Sequence, residues 1–145
     1  MEITKDPRRV VVEGVDPEVD DGRFPIKRVV GERVIVEADV FTDGHEAVSC
    51  AVLYRKEGAA PWNEAPMTEL VNDRWRAEFM VAEMGHYQYT VQGWLDHFKH
   101  WSRDLGKRIA AGQDVSIDLL IGAQYVEEAL PRATGADQDK LRGYL

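Results

Sequence analysis

Strict period-two alternation is the feature that most limits what this chain can fold into. In Arg33–Phe41 the apolar residues Val34, Val36, Ala38 and Val40 take every second position, with Glu37 and Asp39 between them. In Arg74–Val81 the residues Trp75, Ala77, Phe79 and Val81 alternate with Arg74, Arg76 and Glu78. Successive side chains of a strand point to opposite faces, so each segment offers one apolar and one charged face. Strands of this kind are half-buried and belong to antiparallel sheets with one wet side.

Further segments carry the same signal. Arg8–Glu13 is rich in valine and ends at Gly14, and Ser49–Lys56 places Val52 and Tyr54 on one side. Thr68–Val71 leads through Asn72-Asp73 into the Arg74 strand, a hairpin signal, and Thr42-Asp43-Gly44 reads as a turn. Gly85 opens the last long strand, where Tyr87, Tyr89 and Val91 share a face. Short strands with turn signals roughly every 8–12 residues predict a mainly β fold, an antiparallel β-sandwich. No βαβ alternation is present, which argues against a doubly wound sheet.

From Ser102 onward the pattern becomes helical, so the expected division is a β-sandwich over residues 1–101 and a helical segment over 102–145. Ser102 is the expected N-cap of a helix over Arg103–Ala111 that stops at Gly112. Asp114 is placed to cap Val115–Leu130, which Pro131 ends, and Thr134-x-x-Asp137 has the form of a capping box for a last short helix. Val115, Leu119, Ala123 and Val126 form one stripe of the middle helix and are candidates for an interface. A last helix of barely two turns is not stable alone, so it is expected to dock or to belong to a longer polypeptide.

Composition closes off several functions. The chain has 145 residues, 44% of them hydrophobic and 30% charged, which suits a globular domain and not a disordered one. A net charge of −8 repels phosphate backbones, so no nucleic-acid partner is expected. No apolar run approaches the roughly 20 residues of a membrane span, and the first residues lack the apolar centre of a signal peptide. The single cysteine, Cys50, has no partner for an internal disulfide and reads as a small buried hydrophobe. The expected location is the cytoplasm.

Candidate chemistry is sparse. The acidic loop from Asp16 to Gly22 fails the calcium-loop pattern, with Asp21 where a glycine is needed and Lys27 where a bidentate acid is needed, and reads as a solvated turn. His97 and His100 are three apart beside Asp96, but no second cluster supplies further metal ligands, and a structural role is the reading. GxSxG, HExxH and P-loop motifs are absent from the sequence. No catalytic, cofactor or metal residue is therefore assigned. The stretch from Tyr87 to Trp101 is dense in rings. Trp94, Phe98 and Trp101 form a candidate platform for stacking a sugar, while burial in a core or domain contact is the default for such large side chains.

These segments carry a likeness. EGVDPEVDDGRFPIKRVVGERVIVEADVFTDGHE (Glu13–Glu46), LVNDRWRAEF (Leu70–Phe79), GHYQYTVQGWLDHFKHW (Gly85–Trp101) and AGQDV (Ala111–Val115) resemble the N-terminal region of the maltose-1-phosphate maltosyltransferases, enzymes of the α-amylase superfamily that extend α-1,4-glucans. The resemblance implies an immunoglobulin- or fibronectin-III-like sandwich interrupted by a helical bundle, with a catalytic barrel elsewhere in the parent enzyme. It implies no catalytic residue here, a scaffold or homodimerisation role, and no cofactor. Retaining transfer needs a carboxylate nucleophile and a separate acid/base, which in barrel enzymes sit at the ends of barrel strands. An α-glucan-binding module is the alternative, and a free-standing interaction domain a third.

Overall fold

The alternating segments become strands whose apolar rows face each other across a sandwich. The computed structural model describes residues 9–59 and 61–145. Its strands are β1 (Val10–Asp16), β2 (Arg33–Thr42), β3 (Val48–Lys56), β4 (Asn63–Pro66), β5 (Thr68–Glu69), β6 (Arg74–Met80) and β7 (Tyr87–Leu95). One antiparallel sheet has the order β1-β2-β6-β5 and the other β4-β3-β7. The first is the ABED order of an immunoglobulin-type sandwich.

Register explains the core. Val34 lies opposite Phe79, Val36 opposite Ala77 and Ala38 opposite Trp75, so the two apolar rows read from the sequence share one face. Val52 pairs with Val91 and Tyr54 with Tyr89 in the second sheet. Tyr54 stacks on Phe79 at 4.4 Å between ring centroids, which joins the two sheets. Phe79 is buried and Tyr54 half-buried, and full burial of a side chain such as Phe79 contributes about 1.5–3 kcal/mol. The Trp75 indole N–H is satisfied by the Val40 carbonyl at 3.1 Å. Cys50 is buried in this core, as its apolar surroundings predict. The wet face of the first sheet is an ion-pair surface, with Arg33 on Glu78 at 2.9 Å and Arg74 on Asp39 at 3.2 Å.

Several local readings change. Arg8 lies outside the described residues, and β1 does not stop at Gly14 but continues through a register shift to Asp16. Gly14 makes this bulge with φ +60, close under Arg74, whose Nη1 donates to the Gly14 carbonyl at 2.8 Å. Gly44 does not take a left-handed conformation, because β2 and β3 are in different sheets and their connection is a crossover. Asn72 and Asp73 do, at φ 55 and 61, as the hairpin requires. Strand β4 has no alternation to announce it and ends on Pro66, which an edge strand tolerates.

Three helices follow, α1 (His97–Ala110), α2 (Ser116–Ala129) and α3 (Gly135–Arg142). The first compact unit ends at Leu95 and the second spans Asp96–Leu145. Helix α1 thus begins well before the expected Arg103, and Ser102 lies inside it. The cap is Asp96, whose carboxylate accepts the Lys99 N–H at 2.9 Å. The N-cap of α2 is Val115, one residue after the expected Asp114; Asp114 accepts the Ser116 hydroxyl and, at 3.0 Å, the Ser116 N–H, and those bonds hold its carboxyl below the usual aspartate range. Thr134 is the N-cap of α3, but its side chain makes no capping bond. Pro131 sits in a 3₁₀ turn over Leu130–Arg132 after α2.

Candidate functional site

The ring-dense stretch is divided between the two units. Trp94 is near the end of β7 on the outward row of the sandwich, while Phe98 and Trp101 belong to α1. Residues 98 and 101 are one helical turn apart, so their side chains lie on one face of α1. There Phe98 and Trp101 are 5.1 Å apart, and both meet Tyr125 of α2, at 6.3 and 6.4 Å. The Trp101 indole N–H donates to the Asp118 carbonyl at 2.8 Å, and the Asp118 carboxylate receives Arg108. Gly122 is buried under Trp101, and a Cβ there would overlap the indole. Phe98 remains half exposed. Tyr125 was not singled out from the sequence. Its spacing of three from Gly122 and seven from Asp118 on the α1-facing side of α2 is the signal that finds it.

The apolar surface of α2 is wider than the expected stripe. Val115, Ala123 and Val126 are half-buried, whereas Leu119 is exposed. Ile117 is 74% exposed and Leu120 71%, on the side away from Gly122 and Tyr125, and Ile121, one turn before Tyr125, is 42% exposed. The helix is therefore apolar nearly all round, a pattern expected of a helix covered on every side.

A further surface belongs to the sandwich. An open cleft of ≈ 1540 Å³ is lined by Pro17, Phe24 and Ile26 of the β1–β2 connection and by Trp62, Tyr87 and Tyr89. The Tyr89 hydroxyl donates to the Pro17 carbonyl, and burial raises its pKa above the ordinary tyrosine value. Trp62 lies under the Arg55 guanidinium, 4.1 Å from the ring centre.

The metal candidates resolve into turns and helix pairs. Asp20 and Asp21 have φ 47 and 52 in a loop closed by the Gly22 N–H on the Val19 carbonyl at 3.1 Å, with Arg23 paired to Asp20. His100 Nε2 lies 3.3 Å from Asp104 one turn on in α1. Among the described residues no group of three His, Cys, Asp or Glu side chains could hold a metal ion, and no helix is long and apolar enough to cross a membrane.

Comparison with known proteins gives this geometry its setting. The family model described as alpha-1,4-glucan:maltose-1-phosphate maltosyltransferase, domain N/S, matches residues 8–144. The chain is 52% identical over 138 residues to the alpha-1,4-glucan:maltose-1-phosphate maltosyltransferase of Chlorobaculum tepidum, covering 95% of this chain and 21% of that protein. It is 44% identical over 133 residues to the protein of the same name from Myxococcus xanthus, covering 89% of this chain and 20% of that one. The relative from Cereibacter sphaeroides is 42% identical over 119 residues, covering 82% of this chain and 20% of that protein. The chain thus spans about a fifth of the length of these relatives. With its two-sheet sandwich and three trailing helices, the chain belongs to the alpha-1,4-glucan:maltose-1-phosphate maltosyltransferase family, in the region of domain N/S.

Proposed function

We propose that this chain is a non-catalytic scaffold and assembly domain of a cytoplasmic maltosyltransferase that extends α-1,4-glucans from maltose 1-phosphate. The observation that carries the reading is the outer face of α2, where Ile117, Leu120 and Ile121 meet solvent with Leu119 beside them. Contiguous apolar surface on a helix marks a place where another surface packs. In this reading a second copy of the chain covers it, making a homodimer. The sandwich meanwhile positions the catalytic barrel of the parent enzyme. The match to domain N/S and the lack of catalytic motifs in the sequence support the non-catalytic assignment.

Sedimentation velocity over about a hundredfold range of concentration tests the assembly role. The wild-type chain is expected to shift towards a dimer as concentration rises. The double variant Ile117→Glu with Leu120→Glu, which places charge on exposed positions, is expected to stay monomeric with its helical circular dichroism intact. A wild-type chain that is monomeric throughout the range overturns the proposed self-association.

A further inference from the structure

Strand β7 closes the second sheet on one side, and its inner row is left open. Among the described residues it pairs with β3 alone. In the immunoglobulin-type order β3 and β7 take places C and F, and a strand at place G would lie on the other side of β7. The inward residues Tyr87, Tyr89 and Val91 pack against the core yet stay half-buried, whereas Val36 of β2 and Val52 of β3 are sealed. The cleft of ≈ 1540 Å³ follows this same edge, because it is lined by every residue of β7 from 87 to 91. Successive side chains of a strand point to opposite faces, so a cavity on one face meets only every second residue. A cavity that meets all of them runs along the edge. Its far wall is the β1–β2 connection, with Phe24 and Ile26, which the Tyr89 hydroxyl tethers through the Pro17 carbonyl.

We propose that this cleft is a slot for one further β-strand, which pairs along the open edge of β7 and is supplied by the part of the parent polypeptide outside these 145 residues. The source of the strand rests on the reading above that the chain is one domain of a longer enzyme, and the relatives, about five times longer, have ample length to provide it. The nature of the occupant follows from the edge itself. A row of main-chain N–H and C=O groups beside no other strand is matched, group for group, by another extended main chain. The slot also fixes the pattern of the incoming segment. Positions facing Tyr89, Val91 and Phe24 are apolar, and the alternate positions, beside Gln88 and Thr90, are polar. Such a segment seals the inner row of β7 as β2 and β3 are already sealed. The wall formed by the β1–β2 connection suits a single extended segment, which a free stretch of polypeptide offers.

Amide hydrogen exchange, on the 145-residue chain at two concentrations and on the full-length parent polypeptide, tests this. In the 145-residue chain about half of the β7 amides, those turned away from β3, are expected to exchange fast while β2 stays protected. In the parent the same amides are expected to slow by about a hundredfold or more. A photo-crosslinker carried on Thr90→Cys, and separately on Gln92→Cys, both on the exposed outward row, should capture one and the same segment beyond residue 145 of the same molecule. Equal exchange of β7 in the two proteins would overturn the proposal, and so would crosslinks scattered over several segments, or a reading frame that closes after Leu145. Protection of β7 that grows with the concentration of the 145-residue chain would give the edge to a second copy and overturn it as well. The sedimentation test is separate, because its variants lie on α2. A monomeric chain leaves these expectations as they are, and unchanged β7 exchange leaves the α2 contact as it is.

Discussion

At the scale of single residues, the side chains that decide local structure are those whose polar atoms are taken out of water. Trp75 is buried and Trp101 half-buried, and the indole N–H of each finds a backbone carbonyl, on Val40 and Asp118. Tyr89 does the same with the Pro17 carbonyl and so ties the long β1–β2 connection to β7. Its pKa is raised chiefly by burial, with Arg28 opposing and Glu18 and Asp16 adding to the rise. A raised folded-state value means that the neutral phenol is the stabilised form. Its contribution is complete below the ordinary tyrosine pKa and is lost as pH climbs through the raised one. Urea midpoints are therefore expected to fall at strongly alkaline pH, and less steeply in Tyr89→Phe, which at neutral pH should cost about 0.5–1.5 kcal/mol. Identical alkaline profiles for the two proteins would remove Tyr89 from this role.

At the scale of elements, legibility followed periodicity. β2 and β6 alternate without a break, and both their extents and their buried rows were readable. β4 was not, because an edge strand bounded by proline carries no pattern. α1 starts six residues before the expected Arg103 for a different reason. Rings continue without pause from Tyr87 to Trp101, and aromatic density masks the change from period two to the spacing of Phe98 and Trp101. Asp96, the cap, was the available mark. On α2 apolar residues occur all round, so periodicity selected the Val115–Val126 row while Ile117 and Leu120 hold the larger exposed area. The contact between α1 and α2 yields a sharp expectation. Gly122→Ala forces a methyl group into the Trp101 indole and should break its bond to Asp118, at a cost of about 1–3 kcal/mol. A red-shifted tryptophan emission with earlier loss of helical signal on heating is the expected result. An unchanged spectrum and midpoint would show that α1 and α2 are not held together here.

At the scale of the whole molecule, the sandwich and the helices put their notable side chains on surfaces. The exposed apolar residues Ile117 and Leu120 of α2 and the open cleft beside Tyr89 are such surfaces. Retaining glycosyl transfer instead requires two carboxylates roughly 5–5.5 Å apart around a bound sugar. Domain N/S accounts for the chain, and the relatives are about five times longer. In the function proposed above this piece serves assembly, with bond-making performed by other parts of the parent enzyme. The direct measurement is phosphate release from α-maltose 1-phosphate by the purified 145-residue chain with a malto-oligosaccharide acceptor. Release no faster than in a protein-free blank is the predicted result. Sustained release together with acceptors lengthened by two glucose units would contradict the account at its centre.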